Sequence, residues 1–138
     1  MSVELLLFFV AILLLGAIVL AFIARKGTSS QLNKDSYRSA WLKIEQEVDK
    51  DNVPSYQLAF LNADKLLDKA LKARGIKGQT MGERMKAYNQ QWSNANNIWS
   101  AHKIRNKLAH ESGFQVDYDT TRRALAVYKQ ALKDVGAI

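Results

Sequence analysis

Residues Leu5 to Ala24 read LLLFFVAILLLGAIVLAFIA, twenty positions without a charge or a strongly polar side chain. At about 1.5 Å of rise per residue, a helix of this length crosses a hydrocarbon core of roughly 30 Å. No water is present there to bond exposed backbone groups, so a lone segment must be helical. A secretory leader would start with a basic stretch and carry a shorter apolar run. This chain starts Met-Ser-Val-Glu and its run is longer, which points to a retained anchor. Arg25 and Lys26 follow at once, and no Lys or Arg precedes the run. Flanking charge of that sign is expected on the cytoplasmic side. The expected placement is a single-pass protein of the cell membrane, with its N-terminus outside.

The boundaries that follow are an anchor over 1–26, a small polar linker over 27–34 and a helical unit over 35–138. The last is long enough for one core and too short for two. All 20 Lys and Arg, and 12 of the 13 acids, lie at or after Arg25, so this part carries a net +8. Such a balance favours anionic partners. The chain has no cysteine, which excludes disulfides, thiolate metal sites and a cysteine nucleophile.

Helical periodicity covers the rest. Tyr37, Trp41, Ile44 and Val48 mark one face of a first helix over about Lys34–Asp49, with Asp35 or Ser36 as its cap. Pro54 suits the first turn of a second helix, and a wide stripe from Tyr56 to Leu71 ends at Gly75. Asp64, Lys65, Asp68 and Lys69 read as its solvated face. Thr80 and Glu83 form a capping box for a short helix. A further helix runs from about Asn96 to Glu111, with Gly113 as its cap. The last covers about Thr120–Val135, capped by Asp117 or Asp119 and ended by Gly136. No stretch alternates like a half-buried strand. The expected fold class is all-α: the apolar helix plus a bundle of four long helices and one short.

The penultimate helix carries the chemistry. Its sequence, NIWSAHKIRNKLAHESG, holds both histidines of the chain. Ile98, Ala101, Ile104 and Leu108 form its buried face, and Arg105 sits at the edge of that face. A guanidinium there is costly unless it is paired or holds an anion. Its helix neighbours are His102, Asn106 and His110, with no carboxylate among them. His110 lies in the last turn, where the helix dipole favours a cation, and histidine is the side chain that exchanges protons near neutral pH. Arg105 and His110 are about 7.5 Å apart along the axis and on different faces, so they meet at one phosphate only in a groove, most simply where two such helices meet.

Arg105-Asn106-Lys107-Leu108-Ala109-His110 resembles the R-[polar]-x-x-x-H signature of HEPN domains, and the order of helices is similar over roughly Asp35 to Val135. The resemblance implies a dimeric, metal-independent endoribonuclease without a cofactor. His110 would then be the general acid/base, Arg105 the phosphate holder, and Asn106 the group that orients one of them. His102, Lys103, Lys107, Trp99, Arg122 and Arg123 are further RNA-binding candidates: Trp99 and Trp92 by stacking, the cations as a backbone-binding patch. Not every such domain cuts RNA, and a non-catalytic module that binds a protein partner or a nucleotide at the membrane is the alternative.

Overall fold

The computed structural model describes residues 1–25 and 31–138. They form two compact units, one within residues 1–25 and one over 31–138. The described residues are helical or irregular, without a strand.

The first unit is a single helix, α1 (Val3–Arg25). Its stretch Val3–Ala24 has a mean hydropathy of 3.2 and no buried residue. It is long and apolar enough to cross a membrane. The exposed side chains include Leu5, Phe9, Leu13 and Phe22, an all-round apolar surface that suits lipid rather than water.

The second unit contains α2 (Lys34–Glu47), α3 (Val53–Ala73), α4 (Met81–Ala87), α5 (Ala95–His110) and α6 (Tyr118–Val135), with one 3-10 turn over Asn89–Gln91. This matches the expected four long helices and one short. α3 is the centre and packs against α2, α4, α5 and α6. Its stripe explains why: Phe60, Ala63, Leu67, Ala70 and Leu71 have no exposed surface at all. Burial of each large side chain stabilises by about 1.5–3 kcal/mol. Tyr128, Leu132 and Val135 of α6 and Met85 of α4 complete the same core.

The caps depart from expectation in three places. α2 starts at the expected Lys34, but its cap lies two or three residues before Asp35 or Ser36: Asn33 is the cap, and its side chain accepts from the Ser36 N–H at 3.2 Å. Leu32 is buried in the core. The expected linker therefore ends before Leu32, and its residues 27–30 lie outside the described residues. The capping box of α4 closes through Thr80 Oγ1, which accepts from Glu83 N, but Glu83 Oε2 reaches past Thr80 to Gln79 N at 2.6 Å. α5 ends at His110 on an extended Glu111, so Gly113 (φ +79°) belongs to the following turn and is not the cap. Gly75 and Gly136 do cap their helices with left-handed backbone, sealed by Ile76 N to Leu71 O and Ala137 N to Leu132 O. Asp117 caps α6, accepting from Thr120 N at 2.6 Å.

Candidate functional site

α5 lies against α3 and α6, and its inner edge meets one buried carboxylate. Asp64 of α3 is 1% exposed. Its Oδ1 accepts from the Tyr128 hydroxyl at 2.9 Å and lies 2.9 Å from His102 Nδ1. Its Oδ2 lies 3.1 Å from Arg105 Nε. That last contact has the distance of an ion pair but not the line of a hydrogen bond, and Nε is sealed from solvent with no other partner. Three helices thus converge on one side chain: α3 brings the carboxylate, α5 the imidazole and the guanidinium, α6 the phenol.

The phase of each helix accounts for this. His102 and Arg105 are one turn apart and project to the same side of α5. Asp64 sits in register with Phe60, Leu67 and Leu71, so it belongs to the buried stripe of α3 and not to the charged face. The expectation of a solvated Asp64 is therefore corrected. So is the expectation that Arg105 has no carboxylate beside it: the partner comes from another helix, which neighbours along α5 cannot reveal. Burial pushes the Tyr128 phenol far above its ordinary range, and the Asp64 charge pushes it the same way. Tyr128 is therefore a fixed donor to the carboxylate.

On its outer side Arg105 is tied to its neighbour: Nη1 donates to Asn106 Oδ1 at 3.0 Å. Nη2 makes no hydrogen bond within the described protein. The Arg105 side chain keeps 31% of its exposure, so the outer edge of the guanidinium reaches the surface. His110 is exposed and unbonded at the end of α5. It lines a shallow cleft with Gln57, Leu108 and the turn Glu111–Gln115, and Gln57 Nε2 donates to Leu108 O there at 3.2 Å. Arg105 and Asn106 do not line that cleft. Within one chain the arginine and the histidine of the motif thus keep the separate faces that helical geometry dictates.

The remaining candidates scatter. His102 is 8% exposed and its Nδ1 is engaged by Asp64, so it is not presented as a surface contact. Trp99 is half-buried, packs edge-on against His102 and donates its indole N–H to Asn89 Oδ1 at 3.2 Å. Trp92 is buried and donates to Met85 O, a core residue and not a free stacking surface. Lys103 and Lys107 are exposed, the latter over the Phe114 ring. Arg122 and Arg123 diverge. Arg122 stands in a groove between α2 and α6 with Glu45 and Tyr118, while Arg123 lines the groove between α5 and α6 with Ser100 and Ile104. They do not form one patch, because consecutive helical residues point about 100° apart.

A second carboxylate cluster lies further along α3. Asp68 takes Arg84 of α4 in a two-point grip, Nε to Oδ1 at 2.7 Å and Nη2 to Oδ2 at 3.0 Å, and Lys72 joins at 3.1 Å. Arg84 Nη1 also donates to Gly78 O at 2.7 Å. Burial alone would raise the Asp68 carboxyl, but the bonds and charges of Arg84 and Lys72 outweigh it and hold it below the usual range. Each of the three guanidinium nitrogens of Arg84 is bonded inside the protein, whereas Arg105 leaves Nη2 without a hydrogen bond. Among the described residues no group of three or more His, Asp or Glu side chains is placed to hold a metal ion.

Comparison with protein-family models, curated proteins and solved structures gives no match for this chain.

Proposed function

We propose that the chain is a membrane-anchored endoribonuclease resembling HEPN domains, acting as a dimer on cytoplasmic RNA without a metal. The observation that carries this reading is Arg105: an anchored guanidinium whose inner nitrogen faces Asp64 while its outer edge stays open to solvent. A cation held in this way is ready for a phosphate, which takes two parallel N–H bonds from a guanidinium. In this reading His110, exposed and unbonded, removes the proton of an RNA 2′-hydroxyl. The freed oxygen attacks the adjacent phosphorus, the bond to the 5′-oxygen breaks, and that oxygen takes a proton. The products are a 2′,3′-cyclic phosphate and a 5′-hydroxyl. Arg105 stabilises the charge that develops on the phosphoryl oxygens.

Because Arg105 and His110 stand on different faces, the reading pairs the arginine of one copy with the histidine of another. The apolar helix supports this by confining both copies to one membrane, which raises their effective concentration. Basic residues just after that helix favour a cytoplasmic unit and an external N-terminus.

The test is to incubate the full-length protein in nanodiscs with single-stranded RNA in EDTA. Cleavage is expected, with its loss in His110→Ala and Arg105→Ala while tryptophan fluorescence stays native. Intact RNA in every sequence offered would overturn the reading. One observation favours a second reading, a non-catalytic helical module that binds a protein partner or a nucleotide. The Asp64–Arg105 pair joins α3 to α5 and would serve a purely structural unit equally well. Under that reading Arg105→Ala lowers stability while RNA binding and cleavage are absent throughout.

A further inference from the structure

We propose that Asp64 is the positioning residue of the site: it fixes the guanidinium of Arg105 so that the outer N–H groups are set for a phosphate before RNA arrives. This rests on the ribonuclease reading for its substrate, and on geometry alone for the positioning.

The division of labour on the carboxylate is the starting point. Oδ1 meets two groups, the Tyr128 hydroxyl and His102 Nδ1, each at 2.9 Å. Oδ2 is left to Arg105 Nε. Tyr128 is fully buried and packs edge-on against Phe60, so its hydroxyl is a rigid post. His102 is hemmed in by Trp99. Two packed side chains against one oxygen set the plane of the carboxylate, and that plane sets where Oδ2 lies. A long arginine side chain with several free rotors is then held at its inner nitrogen by Oδ2 and at Nη1 by Asn106.

The guanidinium has five N–H donors in a rigid fork. Nε is turned inward to Asp64 and one Nη1 donor is on Asn106, while Nη2 makes no hydrogen bond within the described protein, so Nη donors remain for a phosphate at the exposed end of the side chain. Donors fixed in advance cost no reorganisation when charge develops on the substrate. Asp68 provides the internal contrast. It holds Arg84 through Nε and Nη2, and Gly78 O takes one donor of Nη1, so every nitrogen is engaged in a structural clasp.

The experiment uses the full-length protein in nanodiscs, with single-stranded RNA as substrate and DNA of the same sequence as a probe that has the phosphates but no 2′-hydroxyl. Asp64→Asn keeps the shape and removes the charge. It is expected to lower kcat by about 100-fold, the usual cost of a misplacement of roughly 1 Å. Its Kd for the DNA should rise by less than about 3-fold, since positioning acts mainly on the transition state. Asp68→Asn, which breaks the Arg84 clasp, should leave both within about 2-fold well below its unfolding midpoint. Wild-type kcat in Asp64→Asn, or equal losses in the two variants in step with their stabilities, overturns the proposal.

If Asp64→Asn does not fold, Tyr128→Phe takes its place. It removes one of the two posts on Oδ1, and a drop in kcat of about 5-fold at unchanged DNA affinity is expected; an unchanged kcat overturns the proposal. If the wild-type protein cleaves no RNA, the ribonuclease reading fails, and the Arg105 Nε–H resonance in nitrogen-15 spectra decides the positioning by itself. A slowly exchanging signal that moves on addition of the DNA, and is lost in Tyr128→Phe or Asp64→Asn, supports it. A signal that is the same in all three proteins refutes it.

Discussion

Asp64→Ala should be among the most damaging single substitutions in the helical unit, out of proportion to the few atoms removed. The alanine leaves three donors behind. The Tyr128 hydroxyl is fully buried and loses its acceptor. A buried unsatisfied hydroxyl costs about 1–3 kcal/mol. His102 Nδ1 loses its partner at a buried position, and Arg105 Nε, already sealed from solvent, loses the only opposite charge beside it. Removal of one partner from a buried ion pair typically costs about 3–5 kcal/mol. These terms overlap, because Arg105 can swing outward and water can enter, so the expected loss is about 3–5 kcal/mol and not their sum. For a unit of this size that lowers Tm by at least about 12 °C. Tyr128→Phe removes one hydroxyl and leaves the carboxylate its other two contacts, so it should cost only about 1 kcal/mol. Tryptophan fluorescence is the assay of choice, because Trp41, Trp92 and Trp99 all lie in the second unit and none in α1. The signal is therefore blind to the apolar helix. A loss of about 1 kcal/mol or less in Asp64→Ala, or a loss in Tyr128→Phe as large, would falsify the picture of Asp64 as the shared partner of α5 and α6.

Other outcomes follow from the same structure. A methyl group on Gly78 would stand 2.8 Å from Arg84 N, at a backbone φ of +155°. Gly78→Ala should therefore cost about 1–3 kcal/mol in urea unfolding and loosen the Arg84–Asp68 clasp. The Asp68 carboxyl is held below its ordinary value of 3.8 in the folded protein, so the stability it lends is complete above that value and is lost as pH falls through the lower folded one. Between pH 5 and the acid limb, wild type should lose more stability than Asp68→Asn; parallel curves would contradict the assignment. Leu14→Arg places a charge midway along the apolar helix and should raise the cost of insertion by about 2.5–3.5 kcal/mol, read as release of the protein from membranes in a flotation assay. His110→Ala, at an exposed and unbonded position, should change stability by less than about 0.5 kcal/mol, so any loss of RNA cleavage cannot be blamed on folding.

Much of this architecture is legible in the chain because the forces that set it are local. An apolar run with no charge defines α1. Period-3.6 stripes define the helices of the second unit, and Thr80 and Asp117 mark starts through local side-chain caps as Gly75 and Gly136 mark ends through left-handed backbone. At the start of α2, Asn33, Asp35 and Ser36 all offer a side-chain oxygen, and the folded chain uses Asn33, next to the buried Leu32. The motif residues Arg105, Asn106 and His110 could be found in sequence, since one helix carries all three. Asp64 could not be assigned with equal ease. Its neighbours Lys65, Asp68 and Lys69 make the stretch look solvated, although its register with Phe60, Leu67 and Leu71 was a signal in plain view. Only the packing of α3 against α4, α5 and α6 decided that this aspartate is buried, that Arg105 meets it, and that Arg84 rather than Arg105 is the arginine whose nitrogens are all engaged. Register along a helix is written in the sequence, but the choice of partner across helices depends on which faces meet, and that is fixed only when the core closes.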